Sequence, residues 1–119
     1  MNKWTIYHNP KCSKSRKALE ILKENNLDPE VIEYLIEPLN KDELLHIISI
    51  SEDHVKNFVR TKEEEFKQFS HINLEDKKEV AKLLAENPKL LERPIIVNEK
   101  QSIIARPVEK LEKYLIAKL

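Results

Sequence analysis

Trp4-Thr5-Ile6-Tyr7-His8-Asn9-Pro10-Lys11-Cys12-Ser13-Lys14-Ser15-Arg16 is the stretch from which the chain is best read. Its first residues are β-branched or aromatic, and Asn9-Pro10 stops them, because proline cannot continue a central strand. Beyond it Ala18, Leu19 and Leu22 recur among charged residues with helical spacing. The pattern predicts strand, tight loop and helix, with Cys12 at or beside the helix N-terminus and Ser13 or Ser15 capping the first turn. That position has chemical consequences. Unpaired N–H groups and the positive end of the helix dipole favour a thiolate, and His8, Lys11, Lys14 and Arg16 add positive or proton-sharing neighbours. Thiols so placed titrate at roughly 3.5–7.5 instead of about 8.5. A lone cysteine is more often a small buried hydrophobe, but that role needs none of these features together. Cys12 is therefore read as a nucleophile beside an oxyanion site.

Composition bounds the rest. The 119 residues predict one domain over 1–119, large enough to fold without a metal or disulfide. One cysteine forbids an internal disulfide, and no Cys/His cluster has zinc spacing, so no bound metal or cofactor is expected and a reducing cytoplasm is the natural compartment. No basic-then-apolar signal segment is seen at the N-terminus, and no apolar run approaches the roughly 18 residues of a membrane span. Twenty-one basic and 21 acidic residues cancel, which argues against a nucleic-acid surface, and a monomer is the default. The chain has no glycine, which excludes GxGxxG and Walker phosphate loops. Asparagine takes over at predicted turns and caps: Asn25-Asn26, Asn40, Asn87 and Asn98.

In chain order, a helix over 13–25 should end at Asn25-Asn26, with Leu27 packing beyond the cap. Val31–Leu35 then reads as a second strand, parallel to the first across a right-handed βαβ unit. Asn40-Lys41-Asp42-Glu43 resembles a capping box and opens a helical insertion over about 40–91. Its expected helices are Leu44–Ile48, Asp53–Arg60, Lys62–Phe69, and Asn73 or Leu74 to Glu86. Glu63-Glu64-Glu65 reads as a solvated face, and His46, His54 and His71 as surface histidines. Arg93-Pro94 leads into a buried strand, Ile95-Ile96-Val97; Asn98–Gln101 turns, and Ser102–Ala105 returns. Pro107 fits the first position of a last helix carrying Val108, Leu111 and Leu115. The order βαβ, helical insertion, ββα predicts an α/β fold with a mixed four-stranded sheet, the order of the thioredoxin-like fold.

The segment Tyr7-His8-Asn9-Pro10-Lys11-Cys12-Ser13-Lys14-Ser15-Arg16 resembles the active-site segment of the glutaredoxin-linked arsenate reductase family, specifically its compact branch. Three further segments resemble that family in order and spacing: Phe58-Val59-Arg60, Leu91-Glu92-Arg93-Pro94-Ile95-Ile96-Val97 and Ala105-Arg106-Pro107. The resemblance implies Cys12 as nucleophile, His8 as a neighbour favouring its thiolate, and Arg60, Arg93 and Arg106 as oxyanion ligands. It also implies a cis Pro94 facing the cysteine, with Ser15 where a CxxC motif has its second thiol and Arg16 completing the loop. The implied reaction is reduction of arsenate to arsenite, with glutathione as co-substrate and glutaredoxin as the partner that completes the cycle. An external reductant suits a chain whose single cysteine has no internal partner.

Two other functions fit parts of the pattern. Spx-like transcription regulators share the fold and dock on RNA polymerase, but usually carry the CxxC switch that Ser15 removes here. A monothiol, glutathione-dependent oxidoreductase would use Cys12 on disulfides and has no need of three arginines.

Overall fold

The computed structural model describes residues 3–118; Met1, Asn2 and Leu119, which the expected domain over 1–119 includes, lie outside them. The strands are β1 (Thr5–His8), β2 (Glu30–Glu33), β3 (Ile95–Val97) and β4 (Ser102–Ile104), and the helices are α1 (Ser13–Glu24), α2 (Lys41–Ser49), α3 (Lys77–Glu86) and α4 (Glu109–Lys118). They form one mixed sheet of order β2-β1-β3-β4, with β1 parallel to β2 and antiparallel to β3, and β3 antiparallel to β4. This is the thioredoxin-like α/β arrangement expected from the element order.

Strand alternation divides the core into two layers. The cross-strand pair Ile95 and Ile104 faces Tyr34, Leu44, Ile48, Phe58 and Leu84, from β2's end and the insertion. The next pair, Ile96 and Ile103, faces Ile6, Ala18, Leu22, Leu111 and Leu115. Thus α1 and α4 cover one face and the insertion the other.

The expected substitutes for glycine are present. Asn26 adopts φ 60°, its N–H bonds Lys23 O at 3.0 Å, and Leu27 N–H bonds Leu22 O at 3.0 Å, a Schellman ending for α1. At α2 the capping box is complete: Glu43 N–H donates to Asn40 Oδ1 at 2.8 Å, and Asn40 N–H to Glu43 Oε1 at 3.1 Å.

Several elements differ from the expected bounds. The second strand runs Glu30–Glu33, because Ile36 and Glu37 N–H groups both fold back on Glu33 O and turn Tyr34 and Leu35 out of the ladder. Where helices were expected over 53–60 and 62–69, the chain makes 3₁₀ turns at Val55–Phe58 and Glu64–Phe69. A tertiary pairing ends the first of these: Val59 bridges Leu91, Arg60 N–H bonds Leu90 O and Glu92 N–H bonds Phe58 O, each at 2.8 Å. The last expected insertion helix begins at Lys77 instead of Asn73 or Leu74, since Asp76 caps it through the Lys78 and Glu79 N–H groups. Finally, β4 stops at Ile104 and α4 begins at Glu109; Pro107 lies ahead of the helix, its carbonyl accepting from Lys110 N–H at 3.0 Å.

Two polar ties hold the insertion to the sheet. Ser102 Oγ donates to Ile47 O at 2.6 Å, and Asp53 accepts the Ile104 N–H at 2.9 Å while pairing with Lys110. His46, His54 and His71 are exposed, and His54 also pairs with Glu75 at 2.9 Å.

Candidate active site

The parallel strands β1 and β2 end together, with His8 opposite Glu33, and the cysteine loop leaves from this edge. Asn9 O accepts the Cys12 N–H at 3.0 Å and Asn9 Oδ1 the Lys11 N–H at 3.0 Å, so the loop is fixed by its own backbone. Arg16 Nη1 reaches back to Pro10 O at 2.8 Å. Cys12 is the residue preceding the first turn of α1, at the helix N-terminus as expected.

Neither expected serine caps the helix. Ser13 is the first helical residue, and Ser15 is fully buried, where its Oγ accepts the Asn9 N–H at 3.1 Å and shares a 2.6 Å hydrogen bond with His8 Nδ1. His8 is itself buried, and burial lowers its pKa against the opposing pull of Glu33; Arg16 lowers it further. It stands neutral at neutral pH, bonded to Ser15 instead of Cys12.

Support for the Cys12 thiolate comes from elsewhere. Burial pushes this partly buried thiol up, but the Ser15 and Lys14 N–H groups and then Arg93 and Arg106 outweigh that, and the net pKa is lowered. Two arginines distant in sequence thus act on the cysteine at the start of α1.

The fold gathers all three expected arginines. The Arg93–Pro94 peptide at the approach to β3 is cis, as is Arg106–Pro107 beyond β4. Arg106 Nη1 contacts Arg93 O at 3.4 Å and Glu92 Oε1 at 3.0 Å. Arg60 is carried in by the pairing of 58–60 with 90–92; its Nη1 contacts Lys89 O at 3.4 Å and its Nη2 pairs with Glu63. Arg60, Arg106, Lys62, Glu63 and Glu92 line one cavity of about 420 Å³. Arg93 differs from the other two. Its Nε and Nη1 are buried and have no hydrogen-bond partner.

Three participants were missed in the sequence. Glu63 belonged to a run read as solvated, yet it holds Arg60. Glu92, next to Arg93, holds Arg106. Tyr34 is 1% exposed at the end of β2, and burial raises its pKa against Arg93 and Arg60, with Cys12 and Glu92 also acting on it. Its position just past the end of two parallel strands, beside the cysteine loop, was the available signal.

The arrangement offers a nucleophilic sulfur, a helix N-terminus and a desolvated guanidinium lacking an acceptor, a combination suited to chemistry on a tetrahedral oxyanion. Among the described residues no group of His, Cys, Asp and Glu is placed to hold a metal, and no helix is long and apolar enough to cross a membrane.

Comparison with known proteins agrees with this geometry. The ArsC family model matches residues 7–114. The Neisseria meningitidis protein named arsenate reductase is 35% identical over 92% of this chain and 96% of its own length. The Escherichia coli uncharacterized protein YfgD is 39% identical over 89% of this chain and 91% of its own. The solved structure of an arsenate reductase from Vibrio cholerae superposes with a TM-score of 0.79 at 36% identity, covering 93% of this chain and 96% of that one. With the family pattern running through both the cysteine loop and the arginine segments, the chain belongs to the ArsC family.

Proposed function

We propose that the protein is an arsenate reductase, converting arsenate to arsenite through Cys12, with glutathione and glutaredoxin as reductants. The observation that carries this is Arg93: two buried guanidinium nitrogens without an acceptor, on a residue that also lowers the pKa of Cys12. Leaving such donors unsatisfied costs about 1–3 kcal/mol or more, and a bound anion supplies what they lack. Arg93 is the first contact of the anion, Arg106 and Arg60 add their positive charge while still paired with Glu92 and Glu63, and the α1 N-terminus faces the developing charge.

The Cys12 thiolate attacks arsenic; an S–As bond forms, an As–O bond breaks, and the oxygen leaves as water after taking up protons. Glutathione then supplies the second thiol. Together the two thiols give up two electrons as they join in one disulfide, and arsenic departs as arsenite, As(III). Glutaredoxin returns Cys12 to the thiol by exchange, because no second cysteine is present to resolve it. The reaction needs only soluble partners, consistent with a monomer working in a reducing cytoplasm.

The test is arsenate-dependent NADPH oxidation in the presence of glutathione, glutaredoxin and glutathione reductase, with folded native protein and folded Cys12→Ser. Saturable turnover by the native protein alone is the expected result. Its absence, or its survival in Cys12→Ser, overturns the reading.

A further inference from the structure

Two of the three clustered arginines already hold a carboxylate. Glu63 occupies Arg60 and Glu92 occupies Arg106, whereas Arg93 keeps two buried nitrogens unpartnered. Glu92 is the more firmly placed acid, because one oxygen, Oε1, accepts from both Arg106 Nη1 at 3.0 Å and the Arg93 N–H at 3.1 Å. Its other oxygen, Oε2, takes no hydrogen bond among the described residues, and the side chain lines the cavity shared with Arg60 and Arg106. An ionised carboxylate accepts hydrogen bonds and donates none. Fixed in an anion cavity, it repels an oxygen that carries no proton and accepts from one that does.

We propose that Glu92 is a specificity-determining residue that reads the proton on the bound oxyanion, admitting arsenate and phosphate and rejecting sulfate. This rests on the oxyanion reading above. Near neutral pH arsenate and phosphate each retain at least one O–H, whereas sulfate has none. Three guanidinium groups alone would attract all these anions by charge; Arg60 and Arg106 on the cavity, together with Arg93, supply that attraction and Glu92 Oε2 the selection. The carboxylate also lowers the net charge of the site, so an anion that cannot donate to it meets both a lost hydrogen bond and a repulsion.

The test is calorimetric titration at neutral pH of native protein, Glu92→Gln and Glu63→Gln with arsenate, phosphate and sulfate. Native protein should bind phosphate at least about tenfold more tightly than sulfate, the discrimination expected when a charged hydrogen bond is won in one case and lost in the other. Glu92→Gln keeps an acceptor for Arg106 but removes the charge, and should shift the sulfate-to-phosphate affinity ratio at least about tenfold towards sulfate. Glu63→Gln changes the net charge equally and should leave that ratio within about twofold. Equal native affinities for phosphate and sulfate, an unmoved ratio in Glu92→Gln, or the same shift in Glu63→Gln would each overturn the proposal while leaving arsenate binding intact. Native protein that binds neither arsenate nor phosphate would instead remove the oxyanion reading beneath it.

Discussion

At the scale of single residues, the site depends on groups whose partners are either fixed or missing. Arg93 has the missing ones. Arg93→Lys keeps the charge but loses the planar fork, so steady-state kinetics should show kcat/KM for arsenate lower by a factor of about 10²–10³, the loss of an oxyanion donor worth roughly 2.7–4 kcal/mol. Near-native kinetics would argue against paired coordination. Ser15 has the fixed ones, joining His8 to the Asn9 N–H. Ser15→Ala strands both, and urea unfolding should report a loss of about 1–3 kcal/mol. Cys12 and the basic residues around it were legible in the chain because they are adjacent in sequence. The three arginines were legible only by resemblance, since nothing local in Phe58-Val59-Arg60 or Ala105-Arg106-Pro107 says that the segments converge. Glu63, Glu92 and Tyr34 went unread for the same reason: their contacts with the site are set by tertiary pairing.

At the scale of elements, backbone chemistry was the dependable guide. Asn26 was read as a stand-in for glycine at the end of α1, and it adopts φ 60° there. Substitution should therefore act in opposite directions: Asn26→Gly leaves stability unchanged or slightly raised, whereas Asn26→Ala lowers it by about 1–2 kcal/mol, the left-handed penalty of a residue with a Cβ. Urea midpoints of the two variants check the sign as well as the size. The capping box of α2 was equally visible, being contained within Asn40–Glu43. The 3₁₀ turns were not visible, because Val55, Phe58 and Val59 have apolar spacing compatible with a helix and only the bridge from Val59 to Leu91 ends it. Likewise β2 lost its last two expected residues to a turn closed on Glu33 O.

At the scale of the whole molecule, the insertion matters because it brings Arg60 to the segment that carries Arg93. Phe58, fully buried, anchors that crossing. Phe58→Ala should cost about 3–5 kcal/mol by thermal or urea unfolding. Acid sensitivity follows from His8, whose folded pKa lies below the ordinary 6.5 chiefly because it is buried. Between the folded and unfolded values the unfolded chain binds more protons, so stability rises with pH there. Its contribution is complete above 6.5 and is lost as pH falls through the lower folded value. Melting temperature should accordingly drop more steeply below 6.5 in the native protein than in His8→Asn. The most direct test of whether the fold places a thiolate and an anion in one site is the rate of Cys12 alkylation by iodoacetamide, followed against pH with and without arsenate. The expected midpoint lies below that of an ordinary thiol, about 8.5, and arsenate should protect the thiol in native protein but not in Arg93→Ala. An ordinary midpoint, or alkylation indifferent to arsenate, would contradict a shared thiolate and oxyanion site.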